Sequence, residues 1–343
     1  MILLNTFTKT EIMTQPEAWQ DAFEVVKMNR RDLPSLFNKC DQVIFTGCGS
    51  TYYLSLAAAA LFQELTGRPA CAVPAGELFL YPQNYYSNLK TILVAVSRSG
   101  STSETVKVVE KYRQQSRGPV LVITNYGDQP LAKLADLALV IPRGQETSVA
   151  QTRSFASMYV AATALAALLS GQDDLFNSIH YLPAAGEKLI RTYEPAAREL
   201  GQNLYFDRFY FLGSGSRYGL ACEMNLKMKE MTLTHSEPFH FFEFRHGPMS
   251  MVTSTTIIAG LLSDVNRLHE KRVLDEMEQF GAKVVGLGEV DATIQFQSGL
   301  AETVRSVLYL PVLQLVAYYR SIAKGLNPDQ PNHLTAVVKL DLD

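Results

Sequence analysis

Cationic excess is absent from this sequence. Its 343 residues carry 31 Lys and Arg against 34 Asp and Glu, a net charge of −3. A broadly basic nucleic-acid binder needs a positive footprint for the phosphate backbone, so no nucleic-acid partner is expected. Cysteine is scarce too: Cys40, Cys48, Cys71 and Cys222 are scattered, with no CxxC pair and no metal-ligand spacing. Four unclustered thiols in a chain this long match a reduced compartment, and a cytoplasmic protein is expected. Long apolar runs are missing. The longest, around Leu54–Phe62 and Ala156–Leu169, are Ala-rich and too short for a bilayer core of about 30 Å. The opening MILLNTFTKTEIM has no basic segment followed by an apolar stretch and a cleavage site, so neither a signal peptide nor a membrane partner is expected. With 47% apolar and 19% charged residues, disorder and fibrous repeats are excluded.

What is present is alternation. Thr14-Gln15-Pro16-Glu17 has the form of a capping box and predicts a helix from about Thr14, with Trp19, Phe23, Val26 and Met28 on its apolar side. That helix precedes the first strand and reads as an external arm. From Gln42 the period changes. Val43–Thr46, Thr91–Val96, Pro119–Thr124 and Leu137–Ile141 are short, nearly continuous apolar runs separated by helical patterns such as Thr51–Leu65 and Ser103–Gln115. The second half repeats this with Phe209–Gly213, Thr255–Leu262, Lys283–Gly288 and Val307–Pro311 as strands. Continuous apolar strands between helices mean a parallel sheet covered on both faces. The fold class expected is α/β, two doubly wound parallel-sheet domains, with the helical stretch Gly171–Asn203 joining them.

The halves are related. Phe45-Thr-Gly47-Cys-Gly49-Ser50-Thr-Tyr52-Tyr-Leu54 matches Phe211-Leu-Gly213-Ser-Gly215-Ser216-Arg-Tyr218-Gly-Leu220 at six of ten positions (213 − 47 = 166), and Ser97 and Ser263 keep the same offset (263 − 97 = 166). A match that extends beyond one motif at constant spacing marks an internal duplication.

Three stretches carry chemistry. The loop F-x-G-x-G-S joins a strand to a helix, and the helix start offers N–H groups to an anion or polar ligand. It lacks the last glycine of a dinucleotide fingerprint, and no acid follows the next strand as such a site requires, so no Rossmann cofactor is expected. Ser97-Arg98-Ser99-Gly100-Ser101-Thr102-Ser103 sets hydroxyls, one Arg and one Gly where a strand gives way to a helix, the place where open α/β sheets collect ligands. Hydroxyls and N–H groups there bind phosphate. The duplicate reads Asp264-Val265-Asn266-Arg267 after Ser263; the hydroxyls are gone and an acid has appeared. Third, Glu223, Lys227 and Glu230 share one helix face at i, i+4 and i+7. The segment Thr234–Pro248 then threads His235, Glu237, His240, Glu243 and His246 between aromatics, which predicts partly buried ionisable groups suited to acid–base work. The histidines lack a zincin pattern, and no metal is expected.

GCGST(Y), SRSGST and MKE…EFRHGP, in that order and in a duplicated frame, resemble the tandem sugar isomerase (SIS) domains of the glucosamine-6-phosphate synthase group, from about Thr14 to the C-terminal run. The resemblance implies a helical arm over 1–34, a phosphosugar-binding SIS domain over 35–175, a helical connector over 176–203, a catalytic SIS domain over 204–330 and a tail over 331–343. It implies that Ser97, Arg98, Ser99 and Thr102 hold the sugar phosphate, that Thr51 adds contacts, and that Val149 and Gln151 line the sugar. Glu230 would move a proton between C1 and C2 beside Lys227 on the same helix. His246, arriving from a second subunit of a homodimer, would assist ring opening. No cofactor is implied. A start at Met1-Ile2 leaves no room for the synthase's glutaminase domain, so glutamine hydrolysis is not expected. His333-Leu334-Thr335-Ala336 stands where the family has N-L-A-K, so Ala336 replaces its lysine and Lys339 lies three residues on. The expected activity is phosphosugar isomerisation or deamination, most concretely glucosamine 6-phosphate to fructose 6-phosphate and ammonia. The alternatives are an amine-releasing fructosamine-6-phosphate deglycase and a non-catalytic sugar-phosphate-binding regulator.

Overall fold

Two all-parallel sheets of five strands form from the apolar runs in the computed structural model, which describes residues 6–115 and 117–341. The first contains β1 (Gln42–Gly47), β2 (Ala70–Pro74), β3 (Thr91–Ser97), β4 (Val120–Thr124) and β5 (Leu137–Val140), in the order β2-β1-β3-β4-β5. Every residue of β3 and β4 is buried, as a sheet covered by helices on both faces requires. The second contains β6 (Arg208–Leu212), β7 (His235–Phe239), β8 (Thr256–Leu261), β9 (Lys283–Gly288) and β10 (Ile294–Gln295), in the order β7-β6-β8-β9-β10. Strand for strand the two orders are the same, which bears out the duplication.

The duplicated glycines explain themselves. Gly49 and Gly215 have φ of +55° and +60° and lead into the helices Ser50–Thr66 and Ser216–Thr232. A Cβ on Gly47 would lie 2.6 Å from Thr51 Oγ1, and one on Gly213 would lie 2.5 Å from Arg217 O, so the first helical turn can approach the strand end only over a glycine. The constant offset is corrected by the ladders. Phe45 pairs with Val94 whereas Phe211 pairs with Ala259, so the offset is 166 on the first strand (211 − 45 = 166) and 165 on the next (259 − 94 = 165). The pairing register of the two strands thus differs by one residue between the halves, while Ser97 and Ser263, which close the following loops, keep the offset of 166.

Two further expectations are corrected. Val307–Pro311 is not a strand: Ser306–Tyr309 is a 3₁₀ turn leading into the helix Leu310–Ala323, with Pro311 in its first turn. A helix buried all round reads as a continuous apolar run, and proline belongs at a helix start. The fifth strand is the two-residue β10 instead. The N-terminal helix runs Phe7–Met28, so Thr14 is no cap and its hydroxyl donates to Thr10 O at 2.8 Å. Pro16 sits inside that helix and leaves Ile12 O without its usual N–H. Gln15 Nε2 replaces the lost donor, at 2.8 Å. On this helix Ile12, Ala18, Trp19, Ala22, Phe23 and Val26 are buried. No helix among the described residues is long and apolar enough to cross a membrane.

The chain divides into two compact units. One holds the first sheet with Glu17–Glu146, Arg153–His180 and the residues from Thr335 on. The other holds the second sheet with the residues through Pro16, Thr147–Thr152 and Tyr181–Leu334.

Candidate active site

In a 2-1-3-4-5 sheet the connections change direction between β1 and β3, and the crevice beyond the carboxyl ends of those two strands is the natural ligand site. The Gly47–Thr51 turn and the Ser97–Thr102 loop flank it. Gly100 N donates to Ser97 Oγ at 3.1 Å, and Ser101 N to Ser99 Oγ at 3.3 Å. Gly100 has φ +65°, and a Cβ there would come within 2.9 Å of Gln129 Cβ. Thr102 is the N-cap of the helix Ser103–Gln114 without using its hydroxyl as a cap. Ser99, Ser101 and Thr102 are half-buried. Ser97 and Thr51 are buried and serve the turns themselves, Thr51 Oγ1 donating to Cys48 O and accepting from Cys48 N, both at 2.9 Å. Beside them burial pushes the Cys48 thiol up to about 11, so it stays protonated at neutral pH.

Ser99 and Ser101 open onto a cavity of about 260 Å³ walled also by Arg98, Glu146 and Ala336. Arg98 is buried, donates through Nη2 to Ala336 O at 2.7 Å and lies 3.8 Å from the fully buried Glu146 carboxylate. The segment from Thr335 on thus crosses the loop: Ser103 N meets Val338 O at 3.5 Å, and Leu340 N donates to Ser103 Oγ at 3.0 Å. Ala336 contributes its carbonyl, with no side-chain nitrogen, at the position of the family lysine. Glu146, which walls this cavity, is not among the residues the resemblance points to.

The second unit holds the ionisable cluster. In the helix Ser216–Thr232, Lys227 is fully buried, with Nζ 3.3 Å from Glu223 Oε1 and 2.5 Å from Glu230 Oε2. Burial alone lowers the pKa of Lys227, but the Glu223 and Glu230 carboxylates outweigh it and hold the ammonium above its ordinary range. Glu223 is fully buried, whereas the Glu230 side chain keeps 19% of its surface. A carboxylate in the last turn opposes the helix dipole, and Lys227 offsets that opposition. The same unit carries the loop of Val149 and Gln151. Val149 N donates to Asp329 O at 2.9 Å, and Glu11 Oε1 accepts from Thr147 N at 2.6 Å and from Ser148 N at 3.3 Å. Glu11 and Asp329 had no signal in the sequence.

The expectation of partly buried ionisable groups holds for Glu237, which is half-buried, and is corrected for the others. His235, His240, Glu243 and His246 are exposed, while Phe241 and Phe244 take the core positions. β7 is an edge strand: its His235 turns to solvent while Ser236 is buried, and His240 stacks on Tyr218 with ring centroids 3.9 Å apart. His246 lies next to Gly247, whose φ is +126°. Of the nominated residues, Thr51, Ser97, Arg98, Ser99 and Thr102 belong to one unit, and Val149, Gln151, Lys227, Glu230 and His246 to the other.

A family model described as SIS domain matches residues 36–168 and 206–301. Glutamine–fructose-6-phosphate aminotransferase (isomerizing) of Methanothermobacter thermautotrophicus is 27% identical over 354 residues, covering 98% of this chain and 58% of the relative's length. Among solved structures, glucosamine-6-phosphate deaminase from Thermotoga maritima superposes with a TM-score of 0.82 at 27% identity, covering 98% of this chain and all of the other. Tagatose-6-phosphate ketose/aldose isomerase from Escherichia coli shares the fold, with a TM-score of 0.85 at 22% identity and 96% and 97% coverage.

Proposed function

Because the chain belongs to the SIS-domain family, we propose that it is a phosphosugar enzyme that moves a proton between adjacent carbons of an open-chain sugar phosphate. Its substrate in this reading is glucosamine 6-phosphate, which with water gives fructose 6-phosphate and ammonia; plain aldose–ketose isomerisation uses the same proton transfer. The observation that carries the reading is the buried Glu223–Lys227–Glu230 row, which ends in one carboxylate open to solvent. Such a row can fix a base at the surface of the helix, which phosphate binding by itself does not require. Support comes from the relatives named as an isomerizing glutamine–fructose-6-phosphate aminotransferase and a glucosamine-6-phosphate deaminase.

In this mechanism the hydroxyls of Ser99 and Thr102 and the N–H groups of the helix Ser103–Gln114 hold the phosphate. Glu230 is the base that takes the proton from the carbon beside the carbonyl or imine and returns it to the neighbouring carbon. Lys227 is a positioning residue: with its pKa raised it remains an ammonium and fixes the Glu230 carboxylate. His246, exposed beside a glycine turn, reaches the sugar of a second copy of the chain and assists ring opening. The active unit is then a homodimer acting in the cytoplasm.

Two expected results test this. Each charge-assisted hydrogen bond to a phosphate dianion contributes about 1.5–3 kcal/mol. Ser99→Ala with Thr102→Val should therefore weaken binding of glucosamine 6-phosphate far more than binding of glucosamine, measured by calorimetry. Equal weakening of both ligands would move the phosphate elsewhere. The second result concerns assembly. Mixing inactive Glu230→Gln chains with inactive His246→Ala chains should restore part of the activity, because some hybrid sites receive both intact groups. If subunits demonstrably exchange and no activity returns, the two residues act within one chain.

A further inference from the structure

The loop after β8 is the duplicate of the phosphate loop after β3, and it is not an empty turn. Ser263 Oγ accepts Asn266 N at 2.8 Å, the same residue-to-third-residue closure that Ser97 makes with Gly100. The N–H groups of this loop are taken by carboxylates of the same unit. Ser263 N donates to Glu270 Oε2 at 2.6 Å, and Asp264 N to Glu302 Oε2 at 2.7 Å. Arg217 occupies the position of Thr51 in the duplicated turn. Its guanidinium bonds Glu302 through Nη1 and faces Glu270 Oε1 at 3.7 Å through Nη2. Arg217 is only 7% exposed, and its buried Nε has no hydrogen-bond acceptor among the described residues. Arg305 pairs with Asp264 on the other side of the loop. Two backbone N–H groups at a strand end and a buried arginine are the elements of an anion site.

We propose that this loop is a second anion site, built by the duplication and closed by the chain's own Glu302 carboxylate, which stands on Asp264 N and the Arg217 guanidinium where a phosphate monoester would otherwise sit. The helix after it supports this, since it starts at Arg267 and has wound up part of the loop, as the Ser103–Gln114 helix has not. Glu302 is the removable plug. It arrives from a separate short helix, Glu302–Arg305, and its side chain keeps 19% of its surface, against 4% for Glu270. The closure limits each chain to one phosphate group, held at the Ser97–Thr102 loop; that count rests on the function proposed above, whereas the plug does not.

Inorganic phosphate is the probe, counted per chain by equilibrium dialysis. The wild type should bind one, and Ser99→Ala with Thr102→Val should bind none. In that double-variant background, Glu302→Ala should restore one phosphate per chain, Glu302→Gln should restore part of it, and adding Arg217→Ala should remove it again. Phosphate at ten times its dissociation constant should also raise the melting temperature of the Glu302→Ala chain by a few degrees, and that of the Arg217→Ala derivative not at all. The melting readout remains usable where Glu302→Ala is less stable than its parent. A folded Glu302→Ala chain that binds no phosphate in this background overturns the second site. So does binding that survives Arg217→Ala. A Ser99/Thr102 variant that still binds one phosphate overturns the first loop as the phosphate site and leaves the test of Glu302 intact, because the count should then rise from one to two.

Discussion

Glu230→Gln is expected to lower turnover of glucosamine 6-phosphate by about 10²–10⁴, the usual cost of losing a positioned general base. The amide keeps the shape and can still bond a neighbour, but it takes no proton. Substrate affinity should change little, because the Ser97–Thr102 loop is untouched. Deuterium oxide supplies the second readout. The wild type should exchange the hydrogen on the carbon beside the carbonyl, and the variant should not. Undiminished exchange in Glu230→Gln would remove Glu230 as the base. No exchange by the wild type with any hexose phosphate would favour a regulator that only binds.

Lys227→Met should be the most damaging single change to stability. The ammonium lies fully buried between two carboxylates, and removing it leaves the buried Glu223 carboxylate without that countercharge. Breaking a buried pair on one side typically costs about 3–5 kcal/mol, whereas replacing the whole pair by apolar groups can be neutral. Urea unfolding should show that loss in Lys227→Met and recover most of it in the Glu223→Leu, Lys227→Met double variant. If the double variant is no more stable than the single one, the attraction within the row is not what holds the helix in place. The pH dependence has a definite sign. The folded-state pKa of Lys227 lies above its ordinary 10.5, so the contribution to stability is complete below that value and disappears as pH rises through the folded pKa. The wild type should lose this increment only at strongly alkaline pH, and Lys227→Met should lack it.

The central strands were legible because β1, β3, β4, β6, β8 and β9 are continuous apolar runs, the signature of strands buried on both faces. β2 and β7 were not. Edge strands are half-covered, and Ala-Cys-Ala-Val-Pro and His-Ser-Glu-Pro-Phe carry too little apolar length and a proline each. Val307–Pro311 misled because burial on all sides erases the helical period. The Gly47–Thr51 and Ser97–Thr102 loops could be read, since glycine and hydroxyls at a strand end are local facts. Glu11 and Asp329 could not, because what they hold is distant: Glu11 meets Ser148 across 137 positions, and Asp329 meets Thr8 across 321. In the aromatic-rich segment Thr234–Pro248 the sequence suggested partly buried ionisable groups, and most of them are exposed. Which side of an edge strand faces solvent is set by the sheet order, and the sequence carries no mark of that order.

That same edge has a bearing on how copies of the molecule behave when crowded. An open sheet invites a foreign strand wherever a long, flat border presents unpaired N–H and C=O groups, the usual route to aggregation. Here the borders are β2 and β5 in one sheet and β7 and β10 in the other. β7 sets Pro238 in mid-strand between the ionisable His235 and Glu237 on one side and Phe239 on the other, so an incoming strand finds a missing donor next to charge. β10 is two residues long, β5 is four, and β2 stops at Pro74. Among the described residues no border strand exceeds five residues, so neither sheet offers a foreign strand a long, flat edge to pair with.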